Sequence, residues 1–263
     1  MDPLREKVKT LLQEKTISAF LGMKQDHDHA IPFLFTSPEG VESLIIGDAR
    51  YPMAKIFPKI AHKYPDHHLG IMVRGCDEKA LIELYRNHQL ERSQVIPLGV
   101  ACSGELAQKC NCPTPYPSQC IVGEAQERPF DRSALDTIES LSLEERFTYW
   151  TNQFGKCIKC YGCRNICPVC FCEVCTLEDK PLIPLGEIPP QVPSFHLSRA
   201  FHMAGRCIDC GLCEEGCPVD IPLRTLYRKV REVVKDLFDF LPGEEKEEEP
   251  PLHTLGDGTF ELK

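Results

Sequence analysis

Cys157-Ile158-Lys159-Cys160-Tyr161-Gly162-Cys163-Arg164-Asn165-Ile166-Cys167-Pro168 is matched fifty residues later by Cys207-Ile208-Asp209-Cys210-Gly211-Leu212-Cys213-Glu214-Glu215-Gly216-Cys217-Pro218. Both runs have the spacing Cys-x2-Cys-x2-Cys-x3-Cys-Pro. Three thiolates on one tight loop reach three corners of a four-iron cubane, and the fourth ligand comes from elsewhere. Where a chain carries two such runs, the Cys-Pro thiolate ligates the other run's cluster. The spacing therefore predicts two [4Fe-4S] clusters. Cluster A takes Cys157, Cys160, Cys163 and Cys217; cluster B takes Cys207, Cys210, Cys213 and Cys167.

The two runs also agree between their ligands, with Cys-Ile-Lys-Cys in one and Cys-Ile-Asp-Cys in the other. Gly162 and Gly211 fall inside the loops, where backbone must approach closely. Structural zinc is the competing reading. Zinc ribbons, however, use Cys-x2-Cys pairs across a long spacer and have no need of a third cysteine or a Cys-Pro. The expected unit is an α+β bacterial-type two-cluster ferredoxin module over 141–243, with an insertion and a C-terminal helix.

Before it, residues 1–140 read as an α/β domain. Leu4, Val8, Leu11 and Leu12 predict a helix over 3–14. Apolar runs of strand length follow at 17–21, 31–35 and 43–46, then a helix over 52–64 interrupted at Pro58. Leu69 to Val73 is a buried-strand pattern, 77–87 an amphipathic helix and 95–100 a second strand. This is a βαβ unit, so its strands should be parallel.

Both strands run into cysteine, Cys76 and Cys102. Carboxyl ends of parallel strands share one sheet edge, where α/β proteins bind ligands. Cys76 also opens a helix, a position that favours a thiolate. Free cysteine is commonly apolar filler. Two on one edge, followed by Cys110, Cys112 and Cys120, instead mark candidates for a third metal centre, a third [4Fe-4S] cluster. Residues 103–133 read as loop. Ser142-x2-Glu145 is a capping box opening a helix over 143–153.

Between Cys167 and Cys207 lie 39 residues. They begin with Cys170, Cys172 and Cys175, whose place the sequence leaves open, and then become proline-rich. A short helix is expected over 195–204. A last helix over 222–241 carries an apolar stripe of Leu223, Leu226, Val230, Val233, Leu237 and Leu241, with Arg224, Arg228, Arg231 and Lys235 opposite. Residues 244–263 read as an acidic, solvated tail.

The net charge of −9 argues against nucleic acid. No run approaches 18 apolar residues, so no membrane span is expected. The charged N-terminus lacks a signal-like core, and the expected location is cytoplasmic, where the 16 cysteines stay reduced.

Val73-Arg74-Gly75-Cys76-Asp77-Glu78-Lys79-Ala80-Leu81 and Leu98-Gly99-Val100-Ala101-Cys102-Ser103-Gly104 resemble the beta subunits of deazaflavin-coenzyme-reducing hydrogenases and of formate dehydrogenases. So do Cys160-Tyr161-Gly162-Cys163-Arg164-Asn165, Cys167-Pro168-Val169-Cys170-Phe171-Cys172 and His202-Met203-Ala204-Gly205-Arg206-Cys207. The resemblance implies a subunit that relays electrons between a hydrogenase or formate dehydrogenase catalytic subunit and a second partner, such as heterodisulfide-reductase-like subunits. Several members bind FAD and reduce the deazaflavin coenzyme. This chain is short, lacks part of the flavin-holding region of the longer members, and has no G-x-G-x-x-G loop. The readings left open are thus a non-catalytic relay subunit and an FAD-containing reductase with a soluble acceptor. No Ser–His–Asp or H-E-x-x-H arrangement is visible. Lys156, Lys159 and Arg164 surround the first loop, and Asp209, Glu214 and Glu215 the second. That contrast predicts a higher potential for cluster A.

Overall fold

The computed structural model describes residues 2–179, 181, 183–184, 186–245 and 250. The acidic tail expected over 244–263 lies, apart from 244, 245 and 250, outside the described residues. Helix α1 (Asp2–Gln13) buries Leu4, Val8, Leu11 and Leu12, the face its spacing predicts. Strands β1 (Ala19–Asp26) and β2 (His29–Phe35) form an antiparallel hairpin, and β3 (Leu44–Ile45) pairs antiparallel with the far end of β1.

Helix α2 (Met53–Lys63) contains Pro58 without the expected interruption. Met53, Ala54, Phe57 and Ala61 are all buried, and packing of that face outweighs the one backbone bond a proline removes. β4 (Leu69–Val73), α3 (Gly75–Arg86) and β5 (Val95–Gly99) form the expected βαβ unit, with parallel register from Leu69↔Val95 to Val73↔Gly99. β4 also runs parallel to β1, so the sheet is mixed, in the order β2-β1-β4-β5. Every residue of β4 is buried, as a central strand requires.

The segment expected as loop over 103–133 holds helix α4 (Gly104–Lys109), started by Ser103, whose Oγ accepts the Leu106 N–H at 3.1 Å. The chain then folds back over the carboxyl edge of the sheet. The Ala101 N–H donates to Val122 O at 2.9 Å, and the Ile121 N–H donates to Gly99 O at 2.8 Å. Gly99 permits this, since a Cβ there would lie 1.8 Å from Gln119 O. Helix α5 (Ser133–Glu139) follows, then α6 (Leu143–Phe154) with both bonds of the predicted capping box.

The C-terminal half contains α7 (Gly162–Asn165), α8 (Ser194–Met203), α9 (Leu212–Glu215) and α10 (Leu223–Phe238). The apolar stripe of α10 packs only in part. Leu223, Tyr227 and Val234 are buried, but Val233 and Leu237 are exposed. Asp239 is left-handed and ends the helix before Leu241. The arginine-bearing face packs inward as well, against the α/β half. Beyond α10 the chain returns to α3, where Gly243 N–H donates to the buried Glu83 carboxylate at 2.7 Å. The main core also takes in Cys167, Val169, Met203 and Ile208, so the two halves share packing.

Candidate metal centres

The two cysteine loops repeat as structure. Lys159 and Tyr161 have positive φ, and so do Asp209 and Gly211, fifty positions on. Each left-handed pair turns the chain so that amides point at sulfur. In the first loop the Lys159 N–H donates to Cys157 Sγ and the Gly162 N–H to Cys160 Sγ, both at 3.4 Å. In the second, the Asp209 N–H reaches Cys207 and the Leu212 N–H reaches Cys210. Helices α7 and α9 follow at equivalent positions and pack together. A Cβ on Gly162 would meet Gly216 O at 3.2 Å.

The thiols fall into two sets across the repeat. Those acting on Cys163 are Cys157, Cys160 and Cys217. Those acting on Cys210 are Cys167, Cys76 and Cys213, and those acting on Cys213 are Cys207, Cys167 and Cys163. Cys217 thus lies near the thiols of the first loop and Cys167 near those of the second, while Cys163 and Cys76 also approach the second loop. Burial and mutual repulsion push the thiols of Cys163, Cys207 and Cys213 up. A cationic metal core relieves both effects. No group of His, Cys, Asp and Glu converges on a single-ion site among the described residues. A cubane spreads its thiolates wider than one tetrahedral ion does. The amide donors, the shared burial and the four-thiol sets fit such a group.

A third set lies where the sheet edge meets the second loop. Cys76, Cys102, Cys110 and Cys112 line one cavity of about 170 Å³ together with Arg50, Arg74 and Arg224. Cys76 opens α3, but burial outweighs the helix terminus and raises its thiol pKa, contrary to the thiolate expected there. Cys120 stands apart, its Sγ 3.7 Å from Pro117 O, and does not line this cavity. Gly75 lets the covering segment close in, because a Cβ there would lie 2.5 Å from Tyr116 O. The cavity is well below the ~300 Å³ at which small-molecule pockets begin, so the edge near Gly75 and Cys76 offers little room for a flavin.

Over 128 residues the chain is 40% identical to the F420-dependent formate dehydrogenase subunit beta of Methanocaldococcus jannaschii, matching 49% of this chain and 32% of that protein. Over 113 residues it is 42% identical to the F420-dependent formate dehydrogenase 1 subunit beta of Methanococcus maripaludis, matching 42% of this chain and 29% of that one. The chain is thus similar to part of two formate dehydrogenase beta subunits. It spans about a third of the length of these beta subunits. It is also 28% identical over 158 residues to lactate utilization protein B of Bacillus cereus, matching 57% of this chain and 31% of that protein. No protein-family model matches.

The cations that face the thiols escape a reading of motifs. Asp209 of the second loop accepts from Arg224 Nε at 2.7 Å and from Arg228 Nε at 2.8 Å. Glu215 pairs with Arg50, and Glu214 accepts the Arg224 N–H at 2.9 Å. The acidic second loop is therefore neutralised by its neighbours. Arg224 also donates to Cys110 O and Arg228 to Asn111 O, which ties this loop to the third thiol set. The i, i+4 spacing of Arg224 and Arg228 was the available signal, since it aims two guanidiniums at one partner.

Proposed function

We propose that the chain is an iron–sulfur electron-transfer subunit of a formate dehydrogenase-type complex. It would pass single electrons between a catalytic subunit and a second redox partner, such as heterodisulfide-reductase-like subunits. One observation supports the reading: two cysteine loops that repeat as structure, with Cys217 near the first and Cys167 near the second. Cys157, Cys160, Cys163 and Cys217 would hold cluster A, and Cys207, Cys210, Cys213 and Cys167 cluster B. Cys76, Cys102, Cys110 and Cys112 would hold a third, beside cluster B. When bound, such clusters supply one-electron storage at low reorganisation cost.

The chain's own residues do the rest. Backbone amides of 159, 162, 209 and 212 donate to ligand sulfurs and stabilise their negative charge. Phe154, Leu177, Ile221 and Leu223 keep water from the first set, while Val169, Met203 and Ile208 do so for the second. Asp209, Arg224 and Cys110 form a continuous contact from the second loop to the third set, the route an electron would take between them.

Anaerobic iron, sulfide and flavin quantitation tests this. The expected result is at least about twelve irons per chain, four for each of these three sets, without flavin. Zinc in place of iron, or flavin at one per chain, overturns the relay reading.

A further inference from the structure

Cys170, Cys172 and Cys175 belong to none of the three sets. They lie on an irregular stretch that ends in a single 3-10 turn at Thr176–Glu178. All three line one cavity of about 360 Å³, walled on the other side by Lys55 and α8. Each thiol has its own guanidinium. Arg199 Nη1 is 3.7 Å from Cys170 Sγ, and Arg206 Nη1 is 3.9 Å from Cys172 Sγ. Arg164 hydrogen-bonds Cys175. The three arginines come from separate elements: α7, α8 and the loop after α8.

Three features decide what such a site takes. A plain anion pocket needs the cations but not the sulfurs, yet every cysteine of the stretch reaches this cavity. A single zinc draws its sulfurs to within about 4 Å of one another, given a Zn–S distance of about 2.3 Å. No such convergence exists among the described residues. A cluster of several irons spreads its thiolates further and, with three of them, carries net negative charge. Arg199, Arg206, Lys55 and Lys59 match that charge, while Glu178 offsets Arg164 at 2.7 Å and Glu173 also lines the cavity.

We propose that Cys170, Cys172 and Cys175 hold a further iron–sulfur cluster. With three cysteines on the cavity wall, one iron would lack a cysteine ligand, and His202 lines the same cavity. Such an iron takes an exchangeable ligand, which sets this centre apart from the four-thiolate sets. Arg199 links it to the first set, since it also donates to Cys163 O at 2.8 Å.

The test begins with the full-length protein, purified anaerobically. Mild oxidation with ferricyanide removes one electron and one ferrous ion from a three-thiolate [4Fe-4S] cluster, leaving a [3Fe-4S] form with its own EPR signal. Four-thiolate clusters undergo this loss more slowly, so the oxidation is kept brief and the triple variant is treated in parallel. The expected result is one such signal per chain in the wild type. It should vanish in the triple variant Cys170→Ser/Cys172→Ser/Cys175→Ser, along with about four irons. No three-iron signal from the wild type overturns the inference, whatever the variant does. A folded triple variant with the full iron count overturns it too. The inference deepens the relay reading but fails separately from it. Cys157→Ser and Cys207→Ser report on the ferredoxin-type sets. If those variants keep all their iron, the relay reading is the one that falls.

Discussion

Arg199 Nη2 donates to the backbone carbonyl of Cys163 at 2.8 Å. Its side chain also acts on the thiols of Cys167 and Cys213. One buried guanidinium, 4% exposed, therefore faces thiols of both cysteine loops. A cluster gains negative charge on reduction, and a cation in a dry site favours that state. Arg199→Met is expected to lower both potentials, by on the order of 60 mV, the one-electron equivalent of a tenfold change. Arg199→Lys should restore most of the loss. EPR-monitored redox titration reads both. A shift in one cluster alone would mean that Arg199 is not shared.

Cys102 and Cys120 test the proposed third centre against each other. Cys102 faces Cys110 and Cys112 across the edge cavity. Cys120 faces Pro117 O and Glu78 instead. Cys102→Ser should cost about four irons per chain, and Cys120→Ser none. Equal loss from both variants would return Cys120 to the ligand set.

How much of this was legible in the sequence differs by residue type. The βαβ unit, the Ser142 capping box and the cysteine repeat are short-range patterns fixed by period or spacing, and each appears where expected. The roles of Arg50, Arg199 and Arg224 depend on contacts more than a hundred residues apart or across an insertion, and no local pattern encodes those. Helix α4 was hidden because six residues are too few to show a period. The stripe on α10 misled for a different reason. Val233 and Leu237 keep the apolar spacing, but the helix is held to the chain by its arginines as well.

Asp209 is the counter-ion of the seam between the halves. Its carboxylate is only 16% exposed and accepts from two arginines that are equally covered. Removing one member of a buried group leaves the others charged and unpaired, at a cost of about 3 kcal/mol. Asp209→Asn should therefore lower Tm by roughly 6–10 °C for a chain of this size. Arg228→Met should cost less, since Arg224 still holds Asp209. A thermal melt of the holoprotein checks both.

His196 gives the fold an acid limit. It is 1% exposed, its ring stacks on Phe154 with centroids 4.5 Å apart, and neither ring nitrogen has a hydrogen-bond partner. Burial, and then Arg199, push its pKa down to about 4. In the unfolded chain it titrates near 6.5. Between those values the unfolded state binds the extra proton, so stability falls as pH drops through that window. The loss from pH 7 to pH 5 is on the order of 2 kcal/mol. His196→Phe keeps the stack and removes the titration. Denaturant midpoints at the two pH values should converge for the variant, and an unchanged gap would exclude His196 as the cause.

The potentials of clusters A and B should still differ, but less than the loop charges alone suggest. Asp209, Glu214 and Glu215 are held by Arg224, Arg228 and Arg50, so the second loop is close to neutral. At the first loop, Lys159 donates to Pro184 O and keeps its charge, while Arg164 is offset by Glu178 at 2.7 Å. The excess positive charge near cluster A is thus carried mainly by Lys156 and Lys159. Lys159→Glu is expected to lower the potential of cluster A by on the order of 50 mV and to leave cluster B within about 10 mV, since one electron's worth of 1.4 kcal/mol is 59 mV. Arg164→Glu should move it too and, by placing two carboxylates together, loosen the 176–178 turn. Titration of both signals in each variant decides the matter. If Lys159→Glu moves neither potential, solvent screening governs these charges and the two clusters are set by their buried surroundings alone.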